Sequence, residues 1–136
     1  MSDQKAGSAP IIYHMINGAT QPVAPFCHAT EFDGLVFVTG QMPDTPLEKG
    51  VLPAGIEAQT RNVMQNLLII LNGVGLSFDD VLSVRAFLTE FQRDYTIFNE
   101  TYKSFFNEGC LPARTCIGTT GLAYDALVEI DVIARR

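Results

Sequence analysis

ALVEIDVIA, residues 126–134, decides how the chain folds. Successive side chains of a strand point to opposite faces, so Val128, Ile130, Val132 and Ala134 form one wholly apolar side. Leu127, Glu129, Asp131 and Ile133 share the other. A strand of this pattern needs an apolar layer over its first side, and the chain upstream provides two. From Ile56 to Val74 the residues Ile56, Val63, Met64, Leu67, Ile70, Leu71 and Val74 recur at three- and four-residue intervals, the mark of one helical face, with Gly75 as a stop. A second helix, capped by Asp94 and closed by Gly109 and Pro112, carries the stripe Tyr95, Phe98, Tyr102, Phe105 and Phe106.

Further strands read from PIIYHMI (10–16), GLVFVTG (34–40), DVLSVRAFL (80–88) and ARTCIGTT (113–120), the last as a buried strand. The Pro- and Gly-rich loop QMPDTPLEKGVLPAG separates the second strand from the first helix, with room for a hairpin, and a turn falls near 121–125. The order is strand, strand, helix, strand, helix, strand, strand. Such an order predicts an α+β fold, a mixed sheet with both helices on one face. In the central run Leu82, Val84, Ala86 and Leu88 oppose Val81, Ser83, Arg85 and Phe87. The helix-free face therefore mixes charges with Leu, Val, Ile and Phe, and that much open apolar area predicts self-association.

Length and composition set the limits. A chain of 136 residues, 47% hydrophobic and 18% charged, fits one globular domain over 10–136 with a loose tail over 1–9. No apolar run approaches the roughly 20 residues of a membrane span, and MSDQKAGSAP lacks the apolar core of a signal peptide. Cys27, Cys110 and Cys116 are odd in number and irregular in spacing, which suits reduced thiols and a cytoplasmic location. A net charge of −6 without a Lys/Arg cluster argues against a nucleic-acid partner.

Two charges stand inside the densest apolar patterns. Arg114, in LPARTCIG (111–118), offers fixed donors suited to gripping a carboxylate; the alternative is a structural ion pair. Glu129 is either the partner of that arginine or a general base tuned by burial. Cys116 shares the strand face of Arg114, and its thiol has no histidine close in sequence, which favours a structural role over a nucleophilic one. Cys27-His28 with Cys110 or Cys116 lacks any metal-ligand spacing, so no metal is expected. The GxG of NGVGLSFDD closes a helix and does not open one after a strand, so it cannot cradle a nucleotide phosphate, and no cofactor is implied.

With these residues in view, LPARTCIG followed by GLAYDALVEIDVIA closely resembles the C-terminal signature of the RidA/YjgF-like family of enamine/imine deaminases. GLVFVTGQMP resembles the family's N-terminal strand with its Ser/Thr-Gly-Gln turn, and AQTRNVMQNLLIIL its first helix, so the resemblance spans about residues 22–136. It implies a chorismate-mutase-like fold, a homotrimer, and clefts between subunits where 2-imino and enamine acids such as 2-aminoacrylate are hydrolysed to a 2-oxoacid and ammonia without metal or cofactor. By the same resemblance Arg114 grips the substrate carboxylate and Glu129 positions or activates water. Thr39 contributes a hydroxyl contact, Gly40 a close backbone approach, and Cys116 its main chain. Ala24-Pro25-Phe26 stands where the central deaminases have Gly-Pro-Tyr, so Phe26 keeps the aromatic wall without the phenol; a similar Ala-Pro-Phe marks a subgroup resembling the aminoacrylate-handling proteins of pyrimidine breakdown. Alternative readings are a non-catalytic small-carboxylate-binding or chaperone-like relative, or the ribonuclease activity sometimes attributed to the family.

Overall fold

The computed structural model describes residues 9–136, so the tail expected over 1–9 lies, except for Ala9, outside the described residues. Six strands form one sheet in the order β1-β2-β3-β6-β4-β5: β1 Ile12–His14, β2 Ala29–Phe32, β3 Leu35–Gln41, β4 Val81–Leu88, β5 Ala113–Gly118 and β6 Val128–Arg135. All pairs are antiparallel except β4 with β5, which is parallel. Helices α1 (Ile56–Gly73) and α2 (Phe91–Lys103) cover one face. Val128, Ile130, Val132 and Ala134 are buried beneath them, as the alternation of the last strand predicts.

One strand escaped the sequence reading. β2 pairs with β3 through a two-residue turn, Asp33-Gly34, in which both residues have positive φ, 53° and 77°. That is the geometry whose twist suits a tight hairpin, and an Asp-Gly pair is its sequence signal. The run ATEF before it is too short and too polar to announce itself. The hairpin allowed for the 41–55 loop is reduced to one bridge, Thr45 to Glu48, and the first strand covers only Ile12–His14 of the expected 10–16.

Helix α1 ends as Gly75 predicts. Leu76 N–H donates to Leu71 O at 2.8 Å and Gly75 N–H to Asn72 O at 3.0 Å, with Gly75 at φ 82°, so two orphan carbonyls of the last turn are satisfied. Helix α2 starts earlier than expected. Glu90 is its cap residue, and Asp94 is buried one turn inside, held by both arms of Arg93 at 2.8 and 3.0 Å.

In β4 the register against β6 shifts between Val81 and Ser83. Val81 thereby turns into the core, at 8% exposure, and Leu82 turns out, at 47%, the reverse of strict alternation. From Ser83 onward the expected faces hold. The buried strand expected at 113–120 is instead β5, the sheet edge, ending at Gly118 and largely exposed.

Two buried amides tie α1 to the chain around the candidate site. Asn66 Nδ2 donates to Met42 O at 2.9 Å and to Asp44 O at 2.7 Å, anchoring the start of the 42–54 loop. Gln59 Nε2 donates to Pro53 O, and its Oε1 accepts from Leu127 N–H at 2.8 Å, two residues before Glu129.

Candidate functional site

Glu129 and Arg114 do not meet within one chain. Glu129 stands on the helix-free face, whereas Arg114 pairs in register with Val84 and, through it, with the level of Val132, both on the helix face. Two strand spacings and three residues separate their backbones, about 14 Å, and the side chains leave opposite sides of the sheet. The ion pair that the sequence left open between them is therefore excluded.

Glu129 adjoins, through Gly40, an open depression of about 610 Å³ on the helix-free face that Phe26, Thr39 and Gly40 line with Tyr13, Phe37 and Arg85; Glu129 itself is not part of that lining. A β-carbon on Gly40 would lie 2.0 Å from Glu129 Oε2, so the carboxyl rests directly against that backbone. The constraint here is one of space and not of backbone conformation, since its φ is not among the positive values: a side chain would have to displace the end of Glu129. Burial pushes the Glu129 carboxyl above its ordinary range, the nearby Asp131 charge adds to the rise, and Arg85 opposes it. Arg85 is itself committed to Asp131 by two hydrogen bonds of 3.0 and 2.7 Å. Phe26 and Gly40 also border a small depression with Tyr124, whose backbone sits at φ 61° and whose ring lies against Gly50.

The half-site around Arg114 lies where the edge strand β5 meets α2. Its guanidinium carbon is 5.0 Å from the centre of the Tyr102 ring, 5.5 Å from Phe98 and 5.9 Å from Tyr95. These aromatic faces attract the cation without consuming its donors. Among the described residues its side-chain hydrogen bond goes to Tyr95 Oη, at 3.4 Å. Cys116 follows on the same face, packed against the core, and burial raises its thiol above the ordinary range despite the Arg114 charge. Such a thiol is a poor nucleophile at neutral pH. Tyr102 is likewise pushed up, to about 12, by burial.

Both histidines are occupied elsewhere. His28 is buried; its Nδ1 accepts from Ile16 N–H at 2.8 Å and its Nε2 donates to Thr20 O at 2.9 Å, while His14 Nε2 contacts Glu31. The three cysteines are free thiols. The sequence reading missed the Arg85–Asp131 pair, which only register brings together, and took Tyr95 only as the start of the second helix's apolar stripe, whereas it stands 36% exposed against Arg114.

This arrangement of strands and helices recurs in known proteins. The family model described as Endoribonuclease L-PSP matches residues 17–136. The chain belongs to this family. A RutC family protein of Pyrococcus horikoshii is 34% identical over 118 residues, 87% of this chain and 92% of its own length. The Escherichia coli protein named "Putative reactive intermediate deaminase TdcF" is 33% identical over 116 residues, 84% of this chain and 88% of its own. The crystal structure of E. coli TdcF with bound serine superposes with a TM-score of 0.83 at 31% identity, covering 90% of this chain and 98% of that one. The α+β fold expected from the family resemblance is thus the observed one.

Proposed function

We propose that the protein hydrolyses reactive 2-imino and enamine acids, of the 2-aminoacrylate/2-iminopropanoate type, to a 2-oxoacid and ammonia in clefts between copies of the chain. The observation that carries the reading is the pair of half-sites: a guanidinium resting on aromatic rings with donors to spare, and a desolvated carboxyl against a bare backbone, each lacking what the other has. A second copy supplies the missing half, and the open face bearing Phe37 and Ile117, 42% and 47% exposed, gives it apolar surface to dock on. The relative named as a reactive intermediate deaminase and the serine held by TdcF support a small amino-acid-like ligand.

The chemistry asks little of the protein. An enamine acid protonates at its terminal carbon to give the iminium, whose carbon is already electrophilic. Arg114 holds the carboxylate with parallel hydrogen bonds and fixes the orientation. Glu129, in its ionised form, removes a proton from water as the water oxygen bonds to the iminium carbon, giving a carbinolamine. The same carboxyl returns that proton to the amine nitrogen; the C–N bond breaks, ammonia leaves, and loss of the hydroxyl proton completes the 2-oxoacid. A carboxyl whose pKa is raised is suited to both transfers near neutral pH. Thr39 and Phe26 wall the pocket, and the reading requires neither metal nor cofactor.

The test is release of ammonia and pyruvate from 2-aminoacrylate generated in situ, measured against spontaneous hydrolysis. Native chain should accelerate it, and Arg114→Ala should abolish the acceleration. No acceleration by native chain over imines of several side-chain sizes overturns the enzyme and leaves a carboxylate-binding module. The family's ribonuclease description finds less support here, since 15 acidic against 9 basic side chains repel a phosphate backbone.

A further inference from the structure

We infer that Tyr95 is a second carboxylate-binding residue, its phenol O–H donating to the same small 2-oxo- or 2-imino-acid carboxylate that Arg114 grips. The inference takes the identity of the acid from the reading above, but its geometry stands by itself. Arg114 Nη2 donates to Tyr95 Oη at 3.4 Å, so that oxygen serves as acceptor toward the guanidinium. A phenol has one hydrogen, which must then be directed away from the guanidinium. An anion docked on the free edge of Arg114 places an oxygen where this hydrogen points, and the hydroxyl becomes an added charge-assisted donor.

The hydroxyl is held in place by a short chain of contacts. The Tyr95 ring stacks on Phe91, with centres 4.7 Å apart and planes 25° from parallel. Phe91 in turn lies over Gly118 at the end of β5, where a β-carbon would come within 3.3 Å of Phe91 Cβ and 3.9 Å of Leu88 O. Gly118, Phe91, Tyr95 and Arg114 thus form a continuous series along the strand that carries the arginine. Packing alone does not explain the tyrosine: the residue is 36% exposed, and among the described residues its hydroxyl is bonded only to Arg114.

Tyr95→Phe keeps the ring and its stacking and removes only the donor. Titration calorimetry with pyruvate should show a dissociation constant about tenfold weaker than native, with the 2-aminoacrylate assay showing KM raised by a similar factor, kcat within twofold and the thermal midpoint unchanged. Gly118→Ala, which displaces Phe91 without touching the hydroxyl, should weaken pyruvate in the same direction. Native affinity in Tyr95→Phe overturns the inference, as does a loss confined to kcat or accompanied by a fallen thermal midpoint, which would mark a structural role. The two readings fail separately. Native pyruvate affinity in Tyr95→Phe, with turnover abolished by Arg114→Ala, removes Tyr95 and leaves the deaminase; tyrosine-dependent pyruvate binding without turnover by native chain does the reverse.

Discussion

At Gly40 an added methyl group would fall in the place of the Glu129 carboxyl, 2.0 Å from its Oε2, and would have to push that carboxyl aside. Gly40→Ala should leave the fold intact and lower turnover of 2-aminoacrylate about 100-fold by moving that carboxyl about 1 Å, a difference visible in the ammonia-release assay. Glu129 itself gives a prediction of opposite sign for stability and activity. Its pKa is raised in the folded state, so folding takes up a proton; its favourable contribution is complete below the ordinary carboxyl pKa of 4.5 and is lost as pH rises through the folded value. Above that range the native state carries a desolvated charge. Glu129→Gln should therefore abolish turnover yet raise the thermal midpoint at pH 8 by about 3 °C, with no gain at pH 4, as melts at the two pH values will show. At this scale the sequence was legible in types more than in roles. It singled out Arg114 and Glu129 because charges in apolar strands are conspicuous, but it could not separate a shared ion pair from two open half-sites.

At the scale of elements, the join between β2 and the C-terminal end of β6 is electrostatic. Glu31 on β2 is buried, bonded to His14 and to two nitrogens of Arg136, and these partners hold its carboxyl down at about 2. Arg136 Nη1 also donates to Val74 O at 2.8 Å, linking the end of α1 to the same carboxylate. A lowered pKa stabilises the fold above the ordinary value of 4.5, and the contribution is lost as pH falls toward 2. Urea unfolding of native chain should lose stability over that interval, and Glu31→Gln, less stable at pH 7, should show a flatter dependence. Sequence periodicity found α1 because its apolar stripe runs over five turns, and found its end because only Gly75 takes the left-handed cap easily. It failed at β2, whose four residues are too few to show a period, and at Leu82, where one irregular pairing exchanges inside for outside. Asp94 misled as a cap for a related reason: a lone acid near a helix start reads the same whether it caps the turn or is buried within it.

For the whole molecule, the helix-free face is the open question of energetics. Phe37, Ile117, Phe32 and Tyr13 stand 42–69% exposed there, and covering each returns about 1 kcal/mol. Phe37→Asp should thus shift sedimentation toward monomer and remove turnover together with assembly. A sharper test uses the opposed faces of Arg114 and Glu129. Arg114→Ala and Glu129→Ala chains, each inactive, should recover about a quarter of native activity when co-refolded in equal amounts, since random association of copies pairs an intact arginine with an intact glutamate in that fraction of clefts. No recovery from chains shown to have mixed would overturn the cleft shared between copies.

By itself the sequence determined the α+β class, the two helices, the buried side of the last strand and the two charges around which the chemistry is argued. It could do so because apolar period and odd charge are local properties of the chain. Only the tertiary structure decided that Arg114 and Glu129 face opposite ways, that Glu129 rests on Gly40, and that Tyr95 touches the arginine. Each of these depends on register between strands distant in the chain, and a shift of one residue in such a pairing reverses every side chain it carries.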